Sequence, residues 1–505
     1  MATILLSAAG AALGGAAGGT ALGLSSVAIG RAVGATPGRV NDERLWGSGS
    51  EPVETGKVDR FRMTQASDGQ PMARVYGRMR VGGQVIWASE FLETATTSGG
   101  GGKGAPKQPA VTSYSYSVSL AVALCEGEAA AVPRVWADGE EFAPKDLNMR
   151  VYRGTPGQLP DPLIETIEGA GRVPAYRGTA YVVFEDLQLE QFGNRVPQFS
   201  FEVLRPEQPG SETYDQDPGQ LVQGVALMPG TGEYALAATP VHYDHGGGQN
   251  AAANSHARSG GTDLVASLQA LESELPACGA ASLVVSWFGD DLRCGQCTVT
   301  PRVEQKQAEG SMPWRVAGLT RASAGQVLQE DGRPVYGGTP ADAAVVEAIR
   351  HMREQGKRVM FYPFILMEQA AGNTLPDPWT GADTQPALPW RGRITLSAAP
   401  GQPGSPDETA AADAEVAAFF GTAAASDFTA GDGTVSYSGP DEWGLRRFIL
   451  HYAALCAAAG GVEAFCISSE MRGLTQIRGA SGFPAVAALR ALAGEVRSLL
   501  GPDTK

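Results

Sequence analysis

Between Tyr234 and Leu500 the sequence alternates four times between a short apolar run and a longer amphipathic stretch, and this alternation limits the fold more than any other feature. The runs are Tyr234–Ala238, Ser282–Phe288, Arg358–Leu366 and Glu463–Ile467. Their length and apolar content read as strands, and SLVVSWF at 282–288 reads as a strand covered on both faces. The stretches between them carry helix signals. Thr262–Leu275 places Leu264, Leu268, Leu271 and Leu275 on one face, with Pro276 as a stop. Pro340–Gln355 has Thr339 as a candidate cap, Asp342 in its first turn and Gly356 at its end. Asp441–Ala459 directs Leu445, Phe448, Ile449, Tyr452 and Leu455 inward, and Pro484–Leu500 does the same with Val486, Leu489, Leu492, Val496 and Leu499. Repeated strand–helix units predict a parallel sheet. Eight such units would close a (β/α)₈ barrel, so four predict the first half of one, with the remainder in a longer polypeptide.

Upstream the period changes. Residues 58–205 are β-rich and punctuated by Gly and Pro. Ala73–Val81 and Gln84–Leu92 flank Gly82-Gly83, a two-residue hairpin signal, and Asp138-Gly139 marks another turn. Tyr114, Tyr116, Val118, Leu120, Val122 and Leu124 alternate as a strand does. Ser98–Pro109 reads as a flexible loop. The fold class expected is therefore multidomain, β plus α/β. It comprises an apolar Gly/Ala-rich segment (1–57), a β-rich domain (58–205), a linker (206–232) and the half barrel (233–505) with a long insertion at 368–440. An excursion of that length is usually functional or an interaction surface.

Residues 1–30 carry no charge, and their glycines recur every four positions, which would let another helix approach closely. Packing inside an assembly, membrane contact and a loose tail are the alternatives. The absence of Lys or Arg before Arg31 argues against a secretory signal. Lys and Arg number 39 against 54 Asp and Glu, a net charge of −15, which excludes a broad basic surface for gripping nucleic acid. Only 18% of residues are charged, while Gly (66) and Pro (33) supply almost one residue in five. A low-charge, loop-rich chain suits a protein that covers much of its surface with other protein.

Long phrases in order along the chain resemble a known family: PMARVYGRMRVGGQVIWASE (71–90), YSYSVSLAVALCEG (114–127), PAYRGTAYVVFEDLQLEQFGNRVPQFSFEV (174–203), SWFGDDLR (286–293), PWRGRIT (389–395), RRFILHYAALCAAAGGVEAF (446–465) and SSEMRGLT (468–475). They resemble the large multidomain tail-tip ("megatron") proteins of alphaproteobacterial gene transfer agents and related long-tailed phages. The resemblance implies a baseplate component at the distal end of a phage-like tail, assembled in the bacterial cytoplasm. It further implies a tail-hub-like β region in a homotrimeric ring, contacts to tail hub and distal tail proteins, and a glycoside-hydrolase-like TIM barrel. DNA in transit would pass without sequence-specific binding, and host-surface polysaccharide and the host membrane, through residues 1–30, are candidate partners. No cofactor and no metal is expected.

Glycoside cleavage needs two carboxylates, and barrel active sites lie at the C-terminal strand ends. Glu470 follows the fourth predicted strand, and the resemblance implies an acid/base role for it; a loop carboxylate is the alternative. Asp290 and Asp291 follow Ser282–Phe288 on the same predicted face, where they either bind sugar hydroxyls or cap a turn with Arg293. Trp287, Trp379 and Trp390, with Arg293, are carbohydrate-binding candidates; anchoring the excursion is their alternative role. His242, Asp244, His245 and His256 fix no metal site by spacing, and Cys294-Gly-Gln-Cys297 leaves open a redox pair, a local disulfide or two plain thiols.

Overall fold

A computed structural model describes residues 71–98, 111–258 and 260–505, together with the strand backbones of Thr20–Ala21, Leu24–Ser25 and Val53–Thr55. The readings placed on residues 1–30 and most of the 98–109 loop lie outside the described residues. The chain forms two compact units. One comprises 1–64, 88–119 and 186–197; the other holds 65–87, 120–185 and 198–505.

In the first unit, Leu92–Ser98 pairs antiparallel with Val111–Ser117. The Tyr116 hydroxyl donates to Glu93 Oε2 at 2.6 Å across that pair. In the second unit the β-rich part holds an antiparallel sheet in the order Gly77–Gly82, Phe199–Arg205, Ala131–Ala137, Glu140–Phe142. The Asp138-Gly139 turn is as expected: both residues have positive φ (52° and 90°), as a tight hairpin turn requires. The Gly82-Gly83 hairpin is not formed. Gly77–Gly82 pairs with Phe199–Arg205, whereas Gln84–Ala88 joins a different sheet along Val111–Glu126. The glycine has another reason: a Cβ on Gly83 would overlap the Val122 side chain. The dipeptide lets the chain switch sheets across a tight core contact.

The C-terminal part of this unit is mixed α/β. Four parallel strands run in sequence order: Gly224–Leu227, Ala280–Gly289, Arg358–Met367 and Ala464–Phe465. Asp263–Glu274 connects the first to the second, and Asp342–Glu354 the second to the third. Ala410–Phe420 and Leu445–Ala458 precede the fourth, and Pro484–Leu500 follows it. Two expectations need correction. The first strand is Gly224–Leu227, inside the stretch read as linker, and Tyr234–Ala238 is a turn. Tyr234, Leu236 and Ala237 are buried because this turn packs into the hydrophobic core, with the Tyr234 hydroxyl reaching Arg321. Thr339 does not cap Asp342–Glu354; its hydroxyl donates to the Ser286 carbonyl at 2.9 Å, tying the loop to the sheet. The 368–440 excursion contains an eleven-residue helix whose Ala-rich pattern lacks a clear apolar stripe.

Ala280–Gly289 is more fully covered on one face than on the other, whose last side chain, Phe288, is also buried. Ala281, Leu283, Val285 and Trp287 are buried, while Ser282, Val284 and Ser286 are half-exposed. Arg358–Met367 repeats the pattern: Val359, Phe361, Ile365 and Met367 are buried, and Met360, Tyr362, Phe364 and Leu366 face the opposite side. Parallel register aligns Ser282 with Met360, Val284 with Tyr362 and Ser286 with Phe364, so these partly exposed residues share one face, which the buried Phe288 beside Leu366 closes at its C-terminal end. The other face packs under the helices around Trp287, Phe361, Phe448 and Tyr452.

Candidate functional site at the strand ends

The C-terminal ends of the parallel strands gather three carboxylates: Asp290 after the second strand, Glu368 after the third and Glu470 after the fourth. Glu470 lies five residues beyond Phe465 with a left-handed φ of 58°, a conformation that costs a residue with a Cβ roughly 1–2 kcal/mol. Its Oε2 accepts from the Trp390 indole nitrogen at 2.6 Å and from Arg391 Nη2 at 3.0 Å. Arg391 also donates to the Ser469 carbonyl and hydroxyl, both at 3.1 Å, and its guanidinium lies 4.7 Å over the Phe364 ring. The Ser469 hydroxyl contacts Tyr362 of the third strand. The left-handed residue is therefore over-determined by partners from the third strand and from the excursion.

Asp290 accepts from the Thr298 amide at 2.7 Å and hydroxyl at 2.6 Å, which makes it a turn cap. Asp291 is buried and turned away. It binds the Arg293 side chain at 2.6 Å and the Gln385 amide at 2.7 Å, anchoring the excursion. Arg293 is thus the partner of Asp291, the capped-turn alternative of the sequence reading.

Trp287 is fully buried, its indole nitrogen donating to the Tyr452 hydroxyl at 3.1 Å. Phe448 lies 4.9 Å from it by ring centroid, so its faces are covered by protein. The carbohydrate-contact role expected of Trp287 is thereby corrected: the apolar strand run that made it conspicuous is core. Trp379 and Trp390, eleven positions apart in the excursion, instead both line one open pocket of about 360 Å³. Arg393, Arg472, Gly473 and Gln476 complete its walls, and no carboxylate lines it. The Trp379 indole nitrogen donates to the Arg393 carbonyl at 2.7 Å. The Trp390 ring lies over Gly392, where a Cβ would strike it, and is itself 46% exposed. One face of this ring is held by backbone and the rest meets solvent.

Glu368 is the residue that sequence reasoning passed over, treating it only as the start of the excursion. Its amide donates to the Gly289 carbonyl at 3.1 Å, which fixes it beside the end of the second strand. Burial pushes its carboxyl up to about 7, with Asp290 raising it further and the adjacent Arg302 opposing. A carboxyl that holds its proton near neutrality is suited to proton donation. The signal available in the sequence was its place after an apolar strand; its burial was not legible.

Beside these lies a buried ionic cluster. Arg321 binds Glu233 through two nitrogens, at 2.9 and 2.5 Å, and also Glu309 at 3.0 Å and the Tyr234 hydroxyl at 2.9 Å. Burial lifts the nearby Glu304 carboxyl above its ordinary range. The cluster joins the loop after the first strand to the 304–321 segment. Among the histidines, His256 pairs with Asp263 at 2.8 Å. Among the described residues no group of three or more His, Cys, Asp or Glu is placed to hold a metal ion, and no helix is long and apolar enough to cross a membrane. Cys294 and Cys297 are free, buried thiols.

Residues 443–505 match the family described as the GTA TIM-barrel-like domain. Among solved structures, a chain of "Virion of native gene transfer agent (GTA) particle" is 55% identical, over 41% of this chain and 39% of that one, with a TM-score of 0.24. The match thus spans about two-fifths of the particle chain's length. A GH113 β-1,4-mannanase complex is 13% identical, covering 45% of this chain and 44% of that one, with a TM-score of 0.21 that carries no argument about fold or activity. No curated protein matches the chain. Residues 443–505 are thus similar to the GTA TIM-barrel-like domain, and the resemblance to gene transfer agent proteins drawn from the sequence is borne out.

Proposed function

We propose that the chain is a tail-tip component of a gene transfer agent particle, of the megatron type, and that its strand-end face touches host-surface polysaccharide. In this reading the four parallel strands are the first half of a (β/α)₈ barrel, and the partly exposed face of the sheet is the half-lumen. The 58–205 region makes the contacts of a homotrimeric ring with tail hub and distal tail proteins. Residues 1–30 pack near the axis or reach the host membrane. DNA passes the acidic chain without sequence-specific binding, since its charge of −15 disfavours adhesion. The observation that carries the polysaccharide contact is the clamp of Trp390 by Glu470, beside an open pocket that also holds Trp379. A rigid exposed indole is a stacking platform for the apolar face of a sugar. Adsorption of tagged particles to isolated host polysaccharide tests it. Trp390→Ala particles should assemble and adsorb less; unchanged adsorption would remove Trp390 from the contact.

A second reading is an envelope or capsule glycosidase on the tail tip. The observation favouring it is Glu368, a buried carboxyl held near neutrality beside Asp290. Glu470, expected as the acid, is engaged instead by Arg391 and Trp390. Hydrolysis of a glycan panel lost in Glu368→Gln but kept in Glu470→Gln would support this reading, and no hydrolysis by the parent protein would end it.

A further inference from the structure

The walls of the Trp379–Trp390 pocket carry a charge opposite to that of the chain. Two guanidinium groups, Arg393 and Arg472, line it, and no acid does. The carboxylates bonded to its walls are already engaged: Asp377 binds Arg393 at 3.3 Å, and Glu470 binds Arg391 and Trp390. Arg472 is exposed, and its side chain has no hydrogen-bond or ion-pair partner among the described residues. Gln476, one helical turn further on, adds an amide that can donate to and accept from a hydroxyl. In a chain of net charge −15, an uncompensated cation in a pocket also lined by two indoles is a local reversal of sign.

We propose that this pocket binds an acidic saccharide, one whose pyranose ring stacks on Trp390 while its carboxylate meets Arg472. The inference rests on the polysaccharide reading above and names the class of sugar. A carboxylate matches the planar guanidinium in a way a neutral hydroxymethyl cannot. Because Arg472 is exposed, its contribution is modest and screened by salt.

The test is titration of the full chain with trigalacturonate and with the neutral trisaccharide galactotriose, at low and at physiological ionic strength. Trigalacturonate should bind about fivefold more tightly at low salt, and the gap should narrow as salt rises. Arg472→Gln should bring the two sugars to within about twofold of each other. Trp390→Phe, which keeps a ring but loses the indole N–H, should weaken both sugars together. Equal binding of both sugars by the parent chain would overturn the acidic preference and leave the polysaccharide reading standing. Binding of neither would overturn both. An acidic preference that survives Arg472→Gln unchanged would place the anion contact elsewhere and refute the assignment.

Discussion

The Trp390 indole nitrogen donates to Glu470 Oε2 at 2.6 Å, although eighty positions separate the two residues in sequence. The bond fixes an exposed ring from the excursion to a left-handed residue that follows the fourth strand. A residue read as a catalytic acid thus serves, in this geometry, to hold an aromatic surface still.

The backbone at Glu470 gives the first prediction. Glu470→Ala and Glu470→Gly both delete the clamp, but only glycine relieves the positive φ. The glycine variant should be more stable than the alanine variant by about 1 kcal/mol in urea unfolding. Equal stabilities would mean that the left-handed turn is not strained.

Arg321 gives the second. Its guanidinium is almost wholly buried against Glu233. Glu233 holds it firmly in the charged form despite the burial that opposes charge. Arg321→Met leaves Glu233 buried without its cation and should cost about 3–5 kcal/mol. The double variant Arg321→Met, Glu233→Gln should recover a large part of this loss in thermal unfolding. Additive losses would show that the two residues do not act as a pair.

Glu368 predicts a pH dependence of definite sign. Its folded carboxyl titrates at about 7, above its ordinary value of 4.5, because burial penalises the ionised form. The folded state therefore binds this proton more tightly than the unfolded chain does. Between pH 4.5 and 7 the residue makes stability fall as pH rises, by roughly 2–3 kcal/mol in all. Glu368→Gln should be nearly neutral below pH 4.5 and gain on the parent across that window. A stability difference that does not vary with pH would contradict the burial of this carboxyl.

The Cys294–Cys297 pair predicts inertness. Burial pushes the Cys294 thiol up to about 12, and Cys297 is raised for the same reason. Neither should react with iodoacetamide in the folded protein at pH 8, and both should react in denaturant. Labelling of Cys294 in the native state, read by peptide mass, would contradict this.

The parallel sheet was legible because strand and helix periods alternate cleanly along Ala280–Gly289, Arg358–Met367 and Leu445–Ala458. The first strand was missed because Gly224–Leu227 is four residues long and opens with glycine, while the more apolar Tyr234–Ala238 competes for the assignment. Gly82-Gly83 looked like a turn because local pattern does not reveal the Val122 side chain packed against it. For the site, Trp379 and Trp390 were legible as conspicuous rings in an aperiodic excursion. Their sharing of one pocket was not legible, since it depends on long-range bonds to Arg393 and Glu470. Trp287 failed as a surface candidate because residue type alone does not tell which side of a strand the helices cover. Glu368 escaped notice because its proton affinity arises from burial, a tertiary property.

The most direct test of the account is electron microscopy of purified particles in which this chain carries a gold-binding tag. The account predicts gold at the tail end farthest from the head. Gold on the head, along the tail shaft, or absent from particles while the tagged chain stays free in solution would contradict it.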